Sequence, residues 1–431
     1  MIRIRRTCIA IPRRKTLALI AIACCAFACS AAAARAASVC NVQSYGAKAD
    51  GTTMDTLAIQ HAIDACAAKG GGTVRFSGGT FLTGPIMLKS HITLEIDKGS
   101  TLLGTHKFAA YKPAIELRQP AVEPLISAKN AVDITIRGGG TINGAGQPWW
   151  EAVYSHDRSK FTANHRPRLI LLDHCKHVLI ENITIENSPS WQVVPYYCDY
   201  VTIRNSRILA PARSPNTDGI DPFSSHHVTI THMLIDDGDD DVAIKSGQPD
   251  SKGYNAPSTY IRITDSTFLH GHGMSIGSEV SGGVQHVYVD HVKFDGTENG
   301  IRIKSNRDRG GNIGDFVYRN LTMKNVGTPI LITEYYPKIP KHVQAEPITR
   351  LTPHFHNITI ENVISTGARS AGIVIGLPES PVRDLVIRNV HIQAQRGLTI
   401  SYATVRAHQF SVKTAAGKPF TMLKGAKIIH Q

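Results

Sequence analysis

Four short clusters of polar side chains carry the chemistry that this sequence could perform. They are Asn216-Thr217-Asp218, Gly238-Asp239-Asp240, Gly271-His272-Gly273 and Arg302-Ile303-Lys304. Carboxylates and an imidazole can move protons at a reacting bond, one group giving a proton while another takes one. The run DDGDDD at 236–241, taken alone, reads equally well as a set of calcium ligands or as a solvated turn. Arg302 and Lys304 alone fit a solvated strand face. Beside carboxylates they become anchors for a carboxylated ligand, because guanidinium grips a carboxylate with a planar fork and ammonium supplies a point charge. The choice between these readings depends on what the intervening chain does with the four clusters.

That chain is built on one repeated phrase, two β-rich triplets around a polar turn. It reads VLIENITI at 178–185, VTIRNSRI at 201–208, VTITHMLI at 228–235 and IRITDSTF at 261–268, and continues as VYVDHVKF, FVYRNLTM, ITIENVIS and LVIRNVHI. The starts recur every 23 to 42 residues. Alternation with a period of two marks strands, and repetition at this interval marks a solenoid. A further strand follows each phrase: GIDPF from Gly219, DVAIK from Asp241, GMSIG from Gly273, GIRIK from Gly300, PILIT from Pro329 and GIVIG from Gly372. Strand, turn, strand, turn at this interval describes the coils of a right-handed parallel β-helix rather than a sandwich, with coils about 4.8 Å apart.

Aligning those further strands by their starting residues stacks the chemistry. Asp218, Asp240 and His272 take one position on three successive coils. Apolar Ile220, Val242, Met274, Ile301 and Ile330 point inward, while Arg302 and Lys304 point outward in the same columns as Asp221 and Lys245. Two aspartates about one coil apart cannot both ionise at their ordinary pKa. Asp239, one residue earlier, aims elsewhere across the groove. One carboxyl set apart from an adjacent pair suits glycoside hydrolysis with inversion, the acid meeting the leaving oxygen and the pair holding the attacking water.

A solenoid exposes core at its ends. Asp55 followed by TLAIQHAIDACAAK predicts an N-capped amphipathic helix covering one end with Leu57, Ile59, Ile63 and Cys66, stopped by Gly70-Gly71-Gly72. The segment from about Ser401 lacks the clean phrase and is expected to cover the other end. At the N-terminus, basic residues Arg3 to Lys15 precede an apolar run, Leu17 to Ala28, and then small residues, the layout of a signal peptide over 1–36. Its removal takes seven basic and no acidic residues, lowering the net charge from +13 to +6. Residues 37–431 then form one catalytic domain. Four cysteines of eight remain, and of the three connectivities we favour the local pairs Cys40–Cys66 and Cys175–Cys198.

At the four clusters the sequence resembles polygalacturonases of glycoside hydrolase family 28, with the family's signatures in order. The wording GIDPFSS, GDDDVAIK, GHGMSIGSE and NGIRIKS is most similar to secreted bacterial endo-polygalacturonases. The resemblance implies an inverting hydrolase of α-1,4 bonds in de-esterified pectin that needs no metal and no cofactor. By motif, Asp239 is the general acid, Asp218 and Asp240 position the water, and His272 supports the acid's protonation. Arg302 and Lys304 hold the galacturonate carboxylate, Asn216 contacts sugar or orients the cleft turn, and Tyr336 matches a substrate-contacting tyrosine, although Tyr335 is adjacent. Asp241 stands where many relatives have cysteine. The expected partner is polygalacturonate, with neither nucleic acid nor membrane once the leader is gone, and the chain is expected to be a secreted monomer. Trp149, Trp150 and Trp191 are candidates for stacking on sugar rings, and Lys245, Arg307, Arg309, Lys338 and Lys341 for extending the groove. Exo action, with 148–168 and 334–356 long enough to block the groove, and hydrolysis of rhamnogalacturonan are left open as the nearest alternatives. A lyase or a noncatalytic β-helix binder remains a more distant rival.

Overall fold

In the computed structural model, which describes residues 38–155, 165–249 and 255–430, strands pair in parallel from coil to coil and make a right-handed β-helix. The register follows the repeated phrase residue for residue. Val178 pairs with Val201, Val201 with Val228, Val228 with Ile261, Ile261 with Val287, Val287 with Phe316, Phe316 with Ile358 and Ile358 with Leu385. The reason is packing: a slip of one residue would turn every apolar side chain outward. Ile180, Ile203, Ile230 and Ile263 are fully buried and stack as one column of the interior.

The polar turn inside each phrase has its own logic. Asn182, Asn205, His232, Asp265, His291, Asn320, Asn362 and Asn389 all sit at positive φ, between 49° and 54°. Asn, Asp and His tolerate the left-handed region better than other side chains, which explains the phrase's polar residue. The amides also bond along the axis: Asn389 donates to Asn362, and Asn362 to Asn320.

The described chain from Ser38 onward lies in one compact unit, Ala37–Gln431. The leader segment 1–36 lies outside the described residues. The capping helix is present as α1 (Thr56–Ala68), burying Ile59, Ile63 and Cys66. Leu57 is instead exposed, and the Asp55 carboxylate does not cap α1 but accepts N–H bonds from Lys48 and Ala49, fixing the preceding loop. Cys66 is bonded to Cys40. The expected Cys175–Cys198 bridge is not formed. Their 23-residue spacing is one coil, so the two buried thiols stand side by side and hydrogen-bond to backbone, Cys198 to Leu172 O at 3.2 Å and Cys175 to Asp173 O at 3.6 Å.

The C-terminal segment also differs from expectation. It is further coil, not a separate cap: Ala403–Thr414 pairs with Val382–Ser401 and then with Ala426–His430, and Ala403, Val405 and Ala407 continue the buried column. Small residues disguised the phrase there.

Ile230→Ala tests the packing. Removing a fully buried side chain from the middle of its column is expected to cost about 2–5 kcal/mol, read from the shift in the chemical-denaturation midpoint. A cost below about 1 kcal/mol would mean that the column collapses to refill the gap.

Candidate active site

The strands that follow the phrases form one face of the solenoid, and their register carries the four clusters together. Ile220 pairs with Val242, Val242 with Met274, Met274 with Ile301 and Ile301 with Ile330, and each of these side chains is fully buried. Ser275 therefore neighbours Arg302, and Phe223 neighbours Lys245, as the alignment predicts. The last strand, GIVIG, enters one residue out of that alignment, with Ile330 opposite Gly372. Gly372 has φ 128°, and a Cβ there would lie 1.8 Å from Ile330 O, so only glycine admits this approach.

Asp240 is the most constrained group of the site. Its side chain is 2% exposed, and it accepts from Ser275 Oγ at 2.7 Å, Arg302 Nη1 at 2.6 Å and Lys304 Nζ at 2.7 Å. Burial alone would push its pKa up, but Lys304, Arg302 and Lys245 outweigh burial and hold it well below the usual carboxylate range. Asp218 is the reverse case. Burial first, then Asp239 and Asp221, push it well above the ordinary value, and Lys245 at 3.6 Å only partly offsets them. The two members of the pair are thus shifted in opposite directions.

Asp239 alone of the three reaches the groove, its side chain 20% exposed against 4% for Asp218 and 2% for Asp240. It accepts from Asn216 Nδ2 at 3.3 Å and lies 3.0 Å from His272 Nδ1. Burial opposes a charge on His272, but Asp239 and Asp240 prevail and raise its pKa. The Tyr336 ring lies 5.7 Å from the Arg302 guanidinium carbon and 5.2 Å from Lys304 Nζ, whereas Tyr335 is buried against Ile375 and Leu377. Tyr336 is therefore the tyrosine at the site.

These residues span the four signatures, and the family's sequence model matches residues 66–412 of this chain. The chain belongs to glycosyl hydrolase family 28. It is similar to an endo-polygalacturonase of Pectobacterium carotovorum subsp. carotovorum, 34% identical over 83% of this chain and 89% of that one. A probable polygalacturonase of Vitis vinifera is 32% identical over 81% and 73% of the two chains. Among solved structures, the polygalacturonase of Erwinia carotovora ssp. carotovora matches with TM-score 0.64 and 29% identity over 91% of this chain and 95% of that one. The hyperthermoactive exopolygalacturonase of Thermotoga maritima matches with TM-score 0.72 and 26% identity over 88% and 91%. The chain is a glycoside hydrolase.

The family 28 site explains the remaining aspartates of DDGDDD. Asp236 is a surface residue 2.6 Å from His270 Nδ1, while Asp237 Oδ1 accepts from Asp239 N–H and Asp241 Oδ2 accepts from Gly273 N–H. Asp241 thus braces the turn that presents His272. Burial raises the pKa of both Asp237 and Asp241. Asp239, Asp240 and His272 offer ligand atoms within 4.8 Å of one another. The two cations on Asp240 already occupy its oxygens, which disfavours a divalent ion there.

Several sequence candidates take other places. Lys245 is buried among Asp218, Asp221 and Glu279, beneath the groove rather than along it. Arg307 is held by Glu346 and Glu379, and Arg309 by Glu279. Trp149 and Trp150 are 1% and 7% exposed, Trp149 against Phe108 and Tyr111, so neither can stack on a sugar. Trp191 is partly exposed between the Arg168 guanidinium at 4.8 Å and Lys245 Nζ at 4.7 Å.

Three features escaped the sequence. Glu298 Oε2 lies 3.1 Å from His272 Nε2, so the imidazole is held between two carboxylates. Buried Arg166 donates to Asn216 Oδ1 at 2.6 Å and so aims the Asn216 amide at Asp239. A two-stranded hairpin, Pro113–Glu116 with Gln119–Val122, crosses the groove floor. Its Glu116 pairs with Arg168 on the near side at 2.7 Å, Leu117 packs on the floor residues Leu171, Val194, Tyr196 and Phe223, and Arg118 reaches Tyr197 Oη at 2.9 Å on the far side. Only the alternation around Leu117-Arg118, both at positive φ, could have signalled it.

Lys304→Met probes the charge arrangement. Removing a cation raises the pKa of Asp240, so its ionised form is lost at a higher pH as the solution is acidified. The acid limb of the kcat/KM profile is therefore expected to move towards neutrality by about one unit or more. An unmoved acid limb would mean that Asp240 is not the group titrating there.

Proposed function

We propose that this protein is an exported pectin-degrading polygalacturonase that cleaves α-1,4-galacturonosyl bonds of polygalacturonate with inversion. The observation that carries the reading is the division of labour among three carboxyls in one register. Asp239 faces the groove beside His272, while Asp240, held low by Lys304 and Arg302, lies one coil from Asp218, whose pKa burial raises. In this reading Asp239 gives its proton to the leaving glycosidic oxygen. Asp240 takes the proton of the attacking water, and Asp218 orients that water. His272, set between Asp239 and Glu298, brings Nδ1 to 3.0 Å from Oδ1 of Asp239, and Oδ2, which also accepts from Asn216, carries the acid's proton. Arg302, Lys304 and Tyr336 receive the substrate carboxylate, and Asn216 steadies the acid.

The signal-like leader supports export. No helix among the described residues is long and apolar enough to cross a membrane. We read the enzyme as a monomer.

Similarity to the Pectobacterium enzymes favours cuts within the polymer. One observation favours a second reading, attack from the chain end: the 113–122 hairpin spans the groove at the level of Arg168 and Tyr197 and leaves Leu117 on its floor.

Reducing-end release from polygalacturonate with chelator present tests the reaction, and Asp239→Asn is expected to lose several orders of magnitude in kcat with the fold intact. A wild-type rate in that variant, or an unsaturated product that vanishes with chelator, would contradict it. Parallel viscosity separates the modes. Early viscosity loss supports internal cuts, and nearly constant viscosity supports the chain end. In the second case Leu117→Gly with Arg118→Gly, which the positive φ of both positions accommodates, is expected to restore early viscosity loss.

A further inference from the structure

Beyond the coils that hold the aspartates, one edge of the groove carries three cations with no carboxylate partner among the described residues. The pairing of Ile330 with Gly372 brings Arg369 beside Gly327, whose O accepts from Arg369 N–H. Arg396 lies opposite Ser370 on the next coil, and Leu398 pairs with Phe420, which places Lys418 beside Arg396 on the coil after that. The three side chains are exposed and occupy three successive coils on the same edge as His272 and Glu298. They line two surface hollows. One, of about 340 Å³, holds Arg369 together with His270, His272, Glu298 and Asn325. The other, of about 410 Å³, holds Arg396 and Lys418 with Ser370, Thr399 and Thr421.

What sets these cations apart is their stacking on successive coils beside the groove. Exposed arginines on the outer faces pair across coils: Arg75 with Asp97, Arg137 with Glu95, Arg204 with Glu181 and Arg319 with Asp290. Arg369, Arg396 and Lys418 have no carboxylate within 4.0 Å among the described residues. The single acidic side chain in the first hollow, Glu298, is directed at His272 Nε2. An unpaired cation on each coil, repeating at about 4.8 Å, matches a polymer that carries one carboxylate on each sugar. Hydroxyls of Thr399 and Thr421 line the same hollow and face the sugar's own hydroxyls, while Ser370 Oγ donates to Gly397 O and accepts from Gly372 N–H. The hairpin that bridges the groove on the other side of the aspartates directs a bound chain towards this edge.

We propose that Arg369, Arg396 and Lys418 form a carboxylate-binding track that holds the uronate polymer beyond the site of cleavage, an inference that rests on the polygalacturonate reading above. The track retains long chains and leaves the bond-breaking step untouched.

The test uses Arg396→Gln with Lys418→Gln in the full chain; both side chains are exposed, so the fold is expected to stand. On polygalacturonate the variant is expected to raise KM by about three- to tenfold, with kcat little changed and a weaker dependence on salt. Hydrolysis of trigalacturonate, too short to reach the second hollow, is expected to be unchanged. Affinity electrophoresis in gels containing polygalacturonate reads retention without turnover, and the variant is expected to migrate faster than the wild type. Equal KM and equal retardation would overturn the track, as would equal losses on trimer and polymer. A wild type inactive on both substrates yet retarded through Arg396 and Lys418 would sink the hydrolase reading and keep the track.

Discussion

The register of one parallel ladder is the constraint on which everything else in this protein depends. A β-helix advances by one interstrand spacing per coil, so a residue type repeated at the same place in successive coils becomes a row in space. On the groove face the fully buried Ile220, Val242, Met274, Ile301 and Ile330 lock that register, because a slip of one position would expose all five. Asp218 and Asp240 are adjacent as a consequence, and Arg302 and Lys304 come within hydrogen-bond reach of a carboxylate more than sixty positions earlier in the chain. No loop has to close for the site to assemble. The core assembles it.

The burial that fixes the geometry also determines the charges. An isolated ionised aspartate at 2% exposure would be strongly disfavoured, and a neutral one could not serve as a base. Asp240 escapes this through two cations and a serine hydroxyl, while Asp218, with Lys245 at 3.6 Å and one oxygen lacking any hydrogen bond, does not. Two chemically identical side chains one coil apart are therefore shifted in opposite directions by what the neighbouring coils place beside them. Burial likewise raises the pKa of Asp237 and Asp241, whose carboxyls brace backbone N–H groups of the turns that present Asp239 and His272.

How much of this could be read in advance follows from what each feature depends on. The repeat and its register were legible, because apolar periodicity is written in consecutive residues, and the alignment of Asp218, Asp240, Arg302 and Lys304 follows from register alone. The destinations of long side chains were not. Lys245 looks like any outward lysine until buried Asp221 and partly exposed Glu279 are placed around it, and Arg302 shows no sign in sequence that it grips Asp240. Trp149 and Trp150 misled because α2 (Gln147–Tyr154) turns them inward. The hairpin at 113–122 and Glu298 on His272 depend on contacts between coils that no local pattern announces. Cysteine spacing indicated the bond at Cys40–Cys66 but misled at Cys175 and Cys198, where it only reports the length of one coil.

The central claim is that a groove-facing acid opposed to a buried pair delivers water to the far side of the sugar in a single displacement. Proton NMR during the first minutes of oligogalacturonate hydrolysis tests it most directly, before the anomers equilibrate. The arrangement of Asp239 against Asp218 and Asp240 predicts that the newly formed reducing end appears as the β-anomer. A first-formed α-anomer would require a covalent intermediate on one of these carboxylates and would contradict the account.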